Sequence, residues 1–299
     1  MPKPYIVGDD YQDTRLDRWF KQKIINLPHS LIERIIRQNK IKLNKKKTKS
    51  SYRLQAGDLI EIYDISRYKE NYKDKKIKYI PKKKELIKYE DYVIENNENF
   101  IVINKPAGIP VQSGTRSFRN ITDVLKNSKY FQDSKPYIVH RIDKETSGIL
   151  IIAKNRKFAQ LFTTLFRIRK IHKTYLALAY GKINKSVKSM RDELTYFENK
   201  KKITQKAISN IKIIKSNDEL SYVELNPITE RKHQLRKQLL NLGNPIIGDD
   251  KYFLTNFRKI KTRNLMLHAY KIKFMINNVQ YNFKAKYNIY FEQLLKEKF

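Results

Sequence analysis

The sequence predicts an α+β protein that consists of a small N-terminal domain and a larger second domain. Three observations support this class. Helical stripes of apolar residues alternate with short β-type runs. The length of 299 residues fits about two domains. A lysine-rich stretch separates two regions of regular pattern. We therefore predict a first domain at 1–65, a basic linker at 66–93 and a second domain at 94–299.

The first domain is predicted to contain two helices and two strands. The second helix is expected to start at Ser30, the N-cap, because Glu33 follows at the spacing of a capping box. Asn39 is expected to end this helix, since asparagine tolerates the left-handed conformation of a C-cap. The remaining predicted elements are a first helix from Leu16 to Ile25 and strands at 41–43 and 59–62.

The stretch 66–93 is predicted to be a linker. Between Arg67 and Lys88 it holds ten basic and three acidic residues and shows almost no apolar periodicity. Such a charge run is typical of a solvated tether. A flexible arm that follows phosphate groups is the alternative, and both interpretations stay open.

The second domain is predicted to mix strands and helices. Asn277 and Asn278 separate two alternating runs, and this pair suits a hairpin turn because asparagine accepts positive φ. The predicted elements are strands at 99–103, 137–139, 148–152 and 175–179, helices at 158–167 and 234–242, and a hairpin at 270–283.

The charge balance indicates a polyanionic partner. The chain has 64 lysines and arginines against 30 aspartates and glutamates, a net charge of +34. AT-rich coding DNA would raise the lysine content, but it would raise the acids too, so it explains the imbalance poorly. A membrane surface is the weaker alternative, because the lysines are spread along the whole chain rather than along one amphipathic helix. A nucleic acid fits better.

Several classes of protein are excluded by composition. The absence of cysteine excludes disulfides and thiolate metal sites. The five histidines show no zinc spacing, so no metal is expected. No run of 18 apolar residues and no signal-peptide pattern occur, which predicts no membrane association and a cytoplasmic protein. A monomer is expected.

Two polar segments are candidates for chemistry. The loop from His140 to Gly148 lies between two apolar strands, a common place for functional residues, although an ordinary solvated loop is the simpler interpretation of such a loop alone. The second segment is 231–236, where His233 and Arg236 share one face of a predicted helix. A basic helix face exposed to solvent is the alternative there.

Five segments occur in a fixed order between residues 94 and 285. They are Ile103-Asn-Lys-Pro-Ala-Gly-Ile-Pro-Val111, His140-Arg-Ile-Asp143 with Thr146-Ser-Gly148 and Ala153-Lys-Asn155, Lys173-Thr-Tyr175-Leu-Ala177, Arg231-Lys-His-Gln-Leu-Arg236 with Gly243-Asn-Pro-Ile-Ile-Gly-Asp249, and Leu265-Met-Leu-His-Ala269. Together they resemble the motifs of pseudouridine synthases of the RluA type. Five ordered motifs are far more specific than one short motif.

The N-terminal domain is similar to the small RNA-binding domain shared with small-subunit ribosomal protein S-four. The matching segments are 15–19, 30–44 and 57–58. Some positions depart from the two family patterns. Glu230 and Lys232 stand where the RluA-type motif has glycine and a hydroxyl residue, Asn39 stands in place of a glycine, and Asn44 is followed by lysine instead of glycine.

The resemblance implies a pseudouridine synthase fold with a mixed, largely antiparallel central sheet. It also implies isomerisation of uridine to pseudouridine in RNA, after the base has been flipped out of the folded strand. Asp143 is the implied catalytic carboxylate, Arg236 its charged partner, and Tyr175 the aromatic ring that holds the base. Arg141 is implied to fill the space that the base leaves. Covalent addition by Asp143 and removal of a ribose proton both remain open.

The resemblance implies no cofactor and points to RNA as the partner, with large-subunit ribosomal RNA favoured over transfer RNA. A non-catalytic RNA-binding or ribosome-assembly protein is the main alternative, but such a protein would be free to lose Asp143. A nuclease would require clustered carboxylates for metal ions. The modified uridine stays open. The residues expected to bind RNA are Arg141, His140, Arg15, Arg34, Arg37 and Lys40.

Overall fold

Separate hydrophobic cores organise the chain into two units, Met1–Ile77 and Lys78–Phe299. The computed structural model describes residues 2–66, 68, 79–113, 119–132, 134–198 and 201–299. Within these residues, no helix combines the length and the apolar character needed to span a membrane.

The first unit is a three-stranded antiparallel sheet with two helices. Its strands pair in the order β1-β3-β2. The apolar stripes predicted for the helices face the core, where Trp19, Phe20 and Ile35 are buried. The elements are β1 Lys3–Ile6, a short helical turn Asp9–Tyr11, α1 Leu16–Lys23, α2 His29–Arg37, β2 Ile41–Leu43 and β3 Leu59–Ile62.

The start of α2 differs from the prediction. The helix begins at His29 after Pro28, and no side chain caps it, so the assignment of Ser30 as the N-cap is wrong. Pro28, whose φ is fixed, takes the N-cap position instead, two residues before Ser30. Glu33 instead accepts a hydrogen bond from the Ser50 hydroxyl at 3.1 Å. Asn39 does adopt the left-handed conformation, with φ of 57°.

The described part of the predicted linker is folded. Residues 67 and 69–78 lie outside the described residues, but Lys83–Glu90 forms a helix, α3. Leu86 and Tyr89, three residues apart, pack on the core of the second unit, and Tyr89 is buried. The linker interpretation is therefore wrong for α3, because one apolar side of this lysine-rich helix suffices to bury it.

The second unit contains the remaining elements. The helices are α3, α4 Ile121–Lys126, α5 Arg156–Arg167, α6 Gln234–Asn241 and α7 Ile289–Lys298, with a helical turn at Lys129–Phe131. The strands are β4 Val93–Asn96, β5 Phe100–Lys105, β6 Tyr137–Ile138, β7 Ser147–Ala153, β8 His172–Tyr180, β9 Ser189–Glu198, β10 Lys201–Ser216, β11 Leu220–Pro227, β12 Leu267–Ile276 and β13 Val279–Lys284.

One mixed sheet joins the described strands of the second unit. Its main path is β4-β5-β7-β12-β8-β11-β10-β9, with β13 paired to β12 and β6 to β7. Only β7 and β12 pair in parallel among the described strands, so the predicted mixed, largely antiparallel sheet is confirmed. This parallel pairing brings the start of β7 beside β12 and β8 in the middle of the sheet. The polar loop that precedes β7 is thereby held at the centre of the unit.

Candidate active site

The loop 139–146 opens directly into the buried strand β7. Gly148 at the start of this strand has φ of +107°, and a Cβ atom there would lie 2.3 Å from the Ala269 carbonyl oxygen of β12. Only glycine therefore allows β7 and β12 to approach at this point. The close approach fixes the end of the loop against the sheet, five residues after Asp143.

A buried lysine ties this loop to the end of β5. The Lys105 ammonium is fully buried and donates to the carbonyl oxygens of Pro106, Ile109 and Lys144 at 2.8, 2.9 and 3.1 Å. The Gly108 amide also donates to the Lys144 oxygen, at 2.9 Å. Burial lowers the pKa of Lys105 to about 7. These bonds hold the backbone next to Asp143 in one position.

Asp143 lies between two side chains that begin α6. Its Oδ2 is 3.5 Å from Arg236 Nη1, and its Oδ1 is 3.8 Å from His233 Nε2. The Asp143 side chain keeps 23% of its surface exposed. Among the described residues, none donates a hydrogen bond to this carboxylate within normal distance. Both oxygens are thus attracted electrostatically but remain able to accept from a substrate.

A second carboxylate fixes Arg236. Asp249 is fully buried and accepts from Arg236 Nε at 2.6 Å and from Nη2 at 2.7 Å, a bidentate pair. The same carboxylate accepts from the backbone amides of Lys251 and Tyr252 at 3.0 and 2.9 Å. Burial opposes the charge of Arg236, but Asp249 and Asp143 outweigh it, and the pKa of Arg236 lies above its ordinary value. The third guanidinium nitrogen is left to face Asp143.

His233 is held in a defined orientation. Its backbone is left-handed, with φ of 55°, and its Nδ1 lies 2.8 Å from the Tyr252 hydroxyl. Burial and the charges of Arg236, Lys251 and Lys232 lower the pKa of His233 against the opposing effect of Asp143. A neutral imidazole has one N–H, and a carboxylate only accepts. The favoured tautomer therefore has Nε2–H directed at Asp143, with the Tyr252 hydroxyl donating to Nδ1.

The opposite side of the site is formed by β8. Tyr175 is half-buried, and burial together with Glu230 and Asp143 raises the pKa of Tyr175 well above its ordinary value, so its hydroxyl is neutral at pH 7. Lys173, two residues earlier, is buried and forms an ion pair with Glu230, whose side chain is half exposed. Burial lowers the pKa of Lys173, and the carboxylate of Glu230 opposes this.

These side chains surround one cavity of about 90 Å³, which has room for several water molecules. Three of its walls are the loop before β7, the strand β8 and the segment from the end of β11 into α6. Of the residues predicted from sequence, Asp143, Tyr175, Arg236 and Arg141 all line this cavity. Arg141 is exposed at its border.

His140 has a supporting position instead. Its Nε2 accepts from the Ile151 amide at 2.8 Å, and its ring stacks on Phe166 with a centroid distance of 4.7 Å. Burial, with a smaller effect of Lys173, lowers the pKa of His140 to about 3, so the ring is neutral. This geometry disfavours the expectation that His140 binds RNA, because the ring already serves the fold.

The other predicted RNA-binding residues lie in the first unit. Arg15 donates to Asp17 at 2.6 Å, which leaves its guanidinium partly engaged. Arg34 and Arg37 are exposed near the end of α2, and Lys40 is half-buried just before β2. Arg34, Arg37 and Lys40 thus lie around the end of α2, whereas Arg15 directly precedes α1.

Sequence reasoning assigned no role to Asp249, Tyr252, Lys105 or Glu230. A weak signal existed for Asp249, which ends a segment already matched to the family pattern. Nothing in the sequence placed Tyr252 beside His233, because that contact depends on how the chain after α6 folds back. The described residues include no group of three or more histidine or acidic side chains suited to a metal ion.

Known proteins match the sequence and the fold of this chain. Residues 99–241 match the RNA pseudouridylate synthase family. The chain is 35% identical to the ribosomal large subunit pseudouridine synthase C of Rickettsia felis, over 93% of this chain and 94% of that protein. It is 31% identical to the protein of the same name from Buchnera aphidicola subsp. Schizaphis graminum, over 90% and 88% of the two chains.

A solved structure shares the architecture. Human RNA pseudouridylate synthase domain containing 4 superposes with a TM-score of 0.61 and 25% identity, and the match covers 71% of this chain and 96% of the human chain. Human RNA pseudouridylate synthase domain containing 1, with a TM-score of 0.54 and 20% identity, has the same fold. With Asp143 set between Arg236 and His233 in a matching fold, and with relatives aligned over nearly the whole length, the chain belongs to the RNA pseudouridylate synthase family.

Proposed function

We propose that this chain isomerises uridine to pseudouridine in large-subunit ribosomal RNA, with Asp143 as its catalytic carboxylate. The observation that supports this best is the state of Asp143. It faces the cavity beside a fixed cation, yet no described residue donates a hydrogen bond to its oxygens. The relatives that align over most of the chain are named ribosomal large subunit pseudouridine synthase C, which supports ribosomal RNA of the large subunit as the substrate.

The reaction needs the functions that these residues offer. The bond between N1 of uracil and C1′ of the ribose breaks, the base turns, and a bond forms between C5 and C1′. N1 gains a proton and C5 loses one, so no oxidant or reductant is required. Asp143 acts on the ribose, either by adding to it or by removing a proton from it, and both routes use an ionised carboxylate. Arg236, held by Asp249, places a fixed cation 3.5 Å from that carboxylate.

The walls of the cavity suit an extruded nucleotide. Tyr175 offers a neutral aromatic ring on which the base can stack. Arg141, exposed at the border, is positioned to enter the space that the base vacates. We assign the first unit to RNA binding through Arg15, Arg34, Arg37 and Lys40. The alignment with the Rickettsia relative supports this assignment, since it spans 93% of the chain.

The test is a map of pseudouridines in ribosomal RNA from cells that lack this protein. One or more large-subunit positions should lose the modification, regain it with the wild-type gene, and fail to regain it with Asp143→Asn. Unchanged large-subunit positions would refute the proposed substrate. Restoration by the Asp143→Asn gene would instead favour a non-catalytic RNA-binding role.

A further inference from the structure

Three lysines surround His233 at the border of the active site, and we call them the lysine cluster. Lys232 precedes His233, and Lys237 follows it by four residues, one turn along α6. Lys251 places its ammonium 5.4 Å from the centre of the Tyr252 ring, whose hydroxyl contacts His233. The three lysines thus belong to the two segments that carry His233 and its partner Tyr252.

The cluster is anchored to the groups that support Asp143. The Lys237 ammonium donates to the Thr195 carbonyl oxygen of β9 at 3.2 Å, which fixes its position. The Lys251 amide donates at 3.0 Å to Asp249, the carboxylate that also holds Arg236. The fold therefore fixes the ammonium of Lys237 and the backbone of Lys251 near the groups that hold Arg236.

No acid neutralises the cluster within the described part of the chain, where none of the three ammonium groups has a carboxylate partner. Other lysines of the same unit do pair, as Lys182 does with Asp218 and Lys259 with Asp250. Burial and the neighbouring Lys251 and Lys232 lower the pKa of Lys237, which shows the mutual repulsion. Like charges held together favour an incoming anion.

We propose that the lysine cluster binds the RNA backbone phosphate next to the target uridine. This inference rests on the proposed function, because it takes RNA as the ligand of the cavity. Every internal nucleotide carries a phosphate on each side of its ribose. A uridine whose ribose lies against Asp143 therefore brings a phosphate to the border of the cavity, where Lys232 and Lys251 are exposed.

The test compares two double variants. Lys232→Gln with Lys251→Gln removes the two exposed charges of the cluster. Lys185→Gln with Lys215→Gln removes two equally exposed charges elsewhere in the unit. Lys215 lies six residues along β10 from Ser209, the partner of Pro227 in the cavity wall, and thus about 20 Å away. Lys185 lies four residues after Gly181. The Gly181 amide donates to the carbonyl oxygen of Glu219, which lies beside the same end of β10 as Lys215.

Binding to transcribed large-subunit ribosomal RNA is measured against salt, and tritium release from uridine labelled at C5 is measured in single turnovers. The cluster variant should flatten the plot of log affinity against log salt by about 0.7, since the cluster holds one phosphate and each phosphate contact on a single strand contributes about 0.7. The single-turnover rate at saturating RNA is measured for both double variants, so that a change in binding is separated from a change in the chemical step. Adding Lys237→Gln should flatten the plot further.

The control variant should keep the wild-type slope within about 0.5. Equal slopes for wild type and the cluster variant would overturn the phosphate site, as would an equal change in both double variants. These outcomes are distinct from failure of the proposed function, in which wild type itself binds the RNA and releases no tritium. In that event the inference falls with the function on which it rests.

Discussion

Asp143 and Asp17 are two aspartates with the same kinds of neighbour, an arginine and a histidine. Asp17, in the first unit, accepts from Arg15 at 2.6 Å and contacts His29 at 2.9 Å. Asp143 lies 3.5 Å from Arg236 and 3.8 Å from His233. The residue types are alike, but each of the two distances is about 0.9 Å longer at Asp143. The carboxylate of Asp17 is therefore engaged in hydrogen bonds, whereas that of Asp143 can still accept them.

The remaining contacts widen this difference. Asp17 also accepts from the Arg18 amide at 2.7 Å, and its side chain is 7% exposed. Burial alone would raise the pKa of Asp17, but the hydrogen bonds from Arg15 and His29 outweigh it and lower the pKa. Asp143 faces a cavity and has acceptor capacity left. Unused acceptor capacity beside a fixed cation, rather than residue type, distinguishes the reactive carboxylate.

The largest effect is expected for Asp143→Asn. The amide keeps the shape but cannot add to the ribose or take its proton, so the rate should fall by at least about 10³-fold. RNA affinity should stay within a few fold, since phosphate contacts supply most of it. Single-turnover tritium release measures the rate. Asp17→Asn serves as the matched control and should keep the rate at saturating RNA, so a comparable loss in both variants would break the comparison.

The next effect concerns the support of Asp143. Arg236→Lys keeps the charge but loses the bidentate bond to Asp249, so the cation should no longer sit at a fixed distance from Asp143. We expect the single-turnover rate to fall by about 10²-fold while the protein stays folded. Full activity of Arg236→Lys would show that Asp143 needs only a nearby positive charge, and the geometric part of the comparison would fail.

Sequence patterns predicted the main strands and helices because their apolar residues recur at the periods of buried faces. They missed β9, β10 and β11. In β10, polar residues such as Gln205 and Ser209 occupy inward positions and interrupt the alternation. They misjudged α3 because lysines dominate its composition, while few apolar residues, Leu86 and Tyr89 among them, pack it on the core. Local patterns record what each element buries and not which other elements it meets.

The candidate site shows the same division. Asp143, Tyr175 and Arg236 were predicted together because each belongs to a motif matched to one family. Asp249 and Tyr252 were not, because their contacts with Arg236 and His233 arise only when the segment after α6 returns to the helix. The sequence thus predicted which residues form the candidate site, but not the distances that distinguish Asp143 from Asp17.

Histidines extend the comparison to pH. His268 is fully buried beside the Ser147 hydroxyl at 2.9 Å, and burial lowers the pKa of His268 to about 4 from 6.5. Between pH 6.5 and 4, His268 therefore binds a proton in the unfolded chain but not in the folded chain. Stability from this residue is complete above pH 6.5 and is lost as the pH falls, by about 3 kcal/mol between pH 7 and 4.

Urea unfolding followed by circular dichroism at several pH values checks this. His268→Gln should be less stable than wild type at pH 7 but should show a shallower decline on acidification, since the remaining carboxylates and histidines titrate in both proteins. Parallel declines would mean that the pKa of His268 is the same in the folded and the unfolded chain.

The smallest effect is expected for the stability of the first unit. Asp17→Asn removes the charge that accepts from Arg15, His29 and the Arg18 amide, and should lower the free energy of unfolding by about 1–2 kcal/mol. Trp19 is the single tryptophan and is buried in this unit, so its fluorescence during urea unfolding reports on this unit. An unchanged midpoint would contradict a structural role for Asp17.

The carbonyl of Lys144 accepts from both Lys105 and the Gly108 amide, and this shared acceptor makes the loop's motion observable. The Gly108 amide proton is protected from exchange only while its hydrogen bond to the Lys144 carbonyl, next to Asp143, is intact. Its rate of exchange with deuterium therefore counts the openings of the catalytic loop, without any label near the reacting atoms. Slower exchange of the Gly108 amide on adding RNA would mean that bound substrate reduces the opening of the loop.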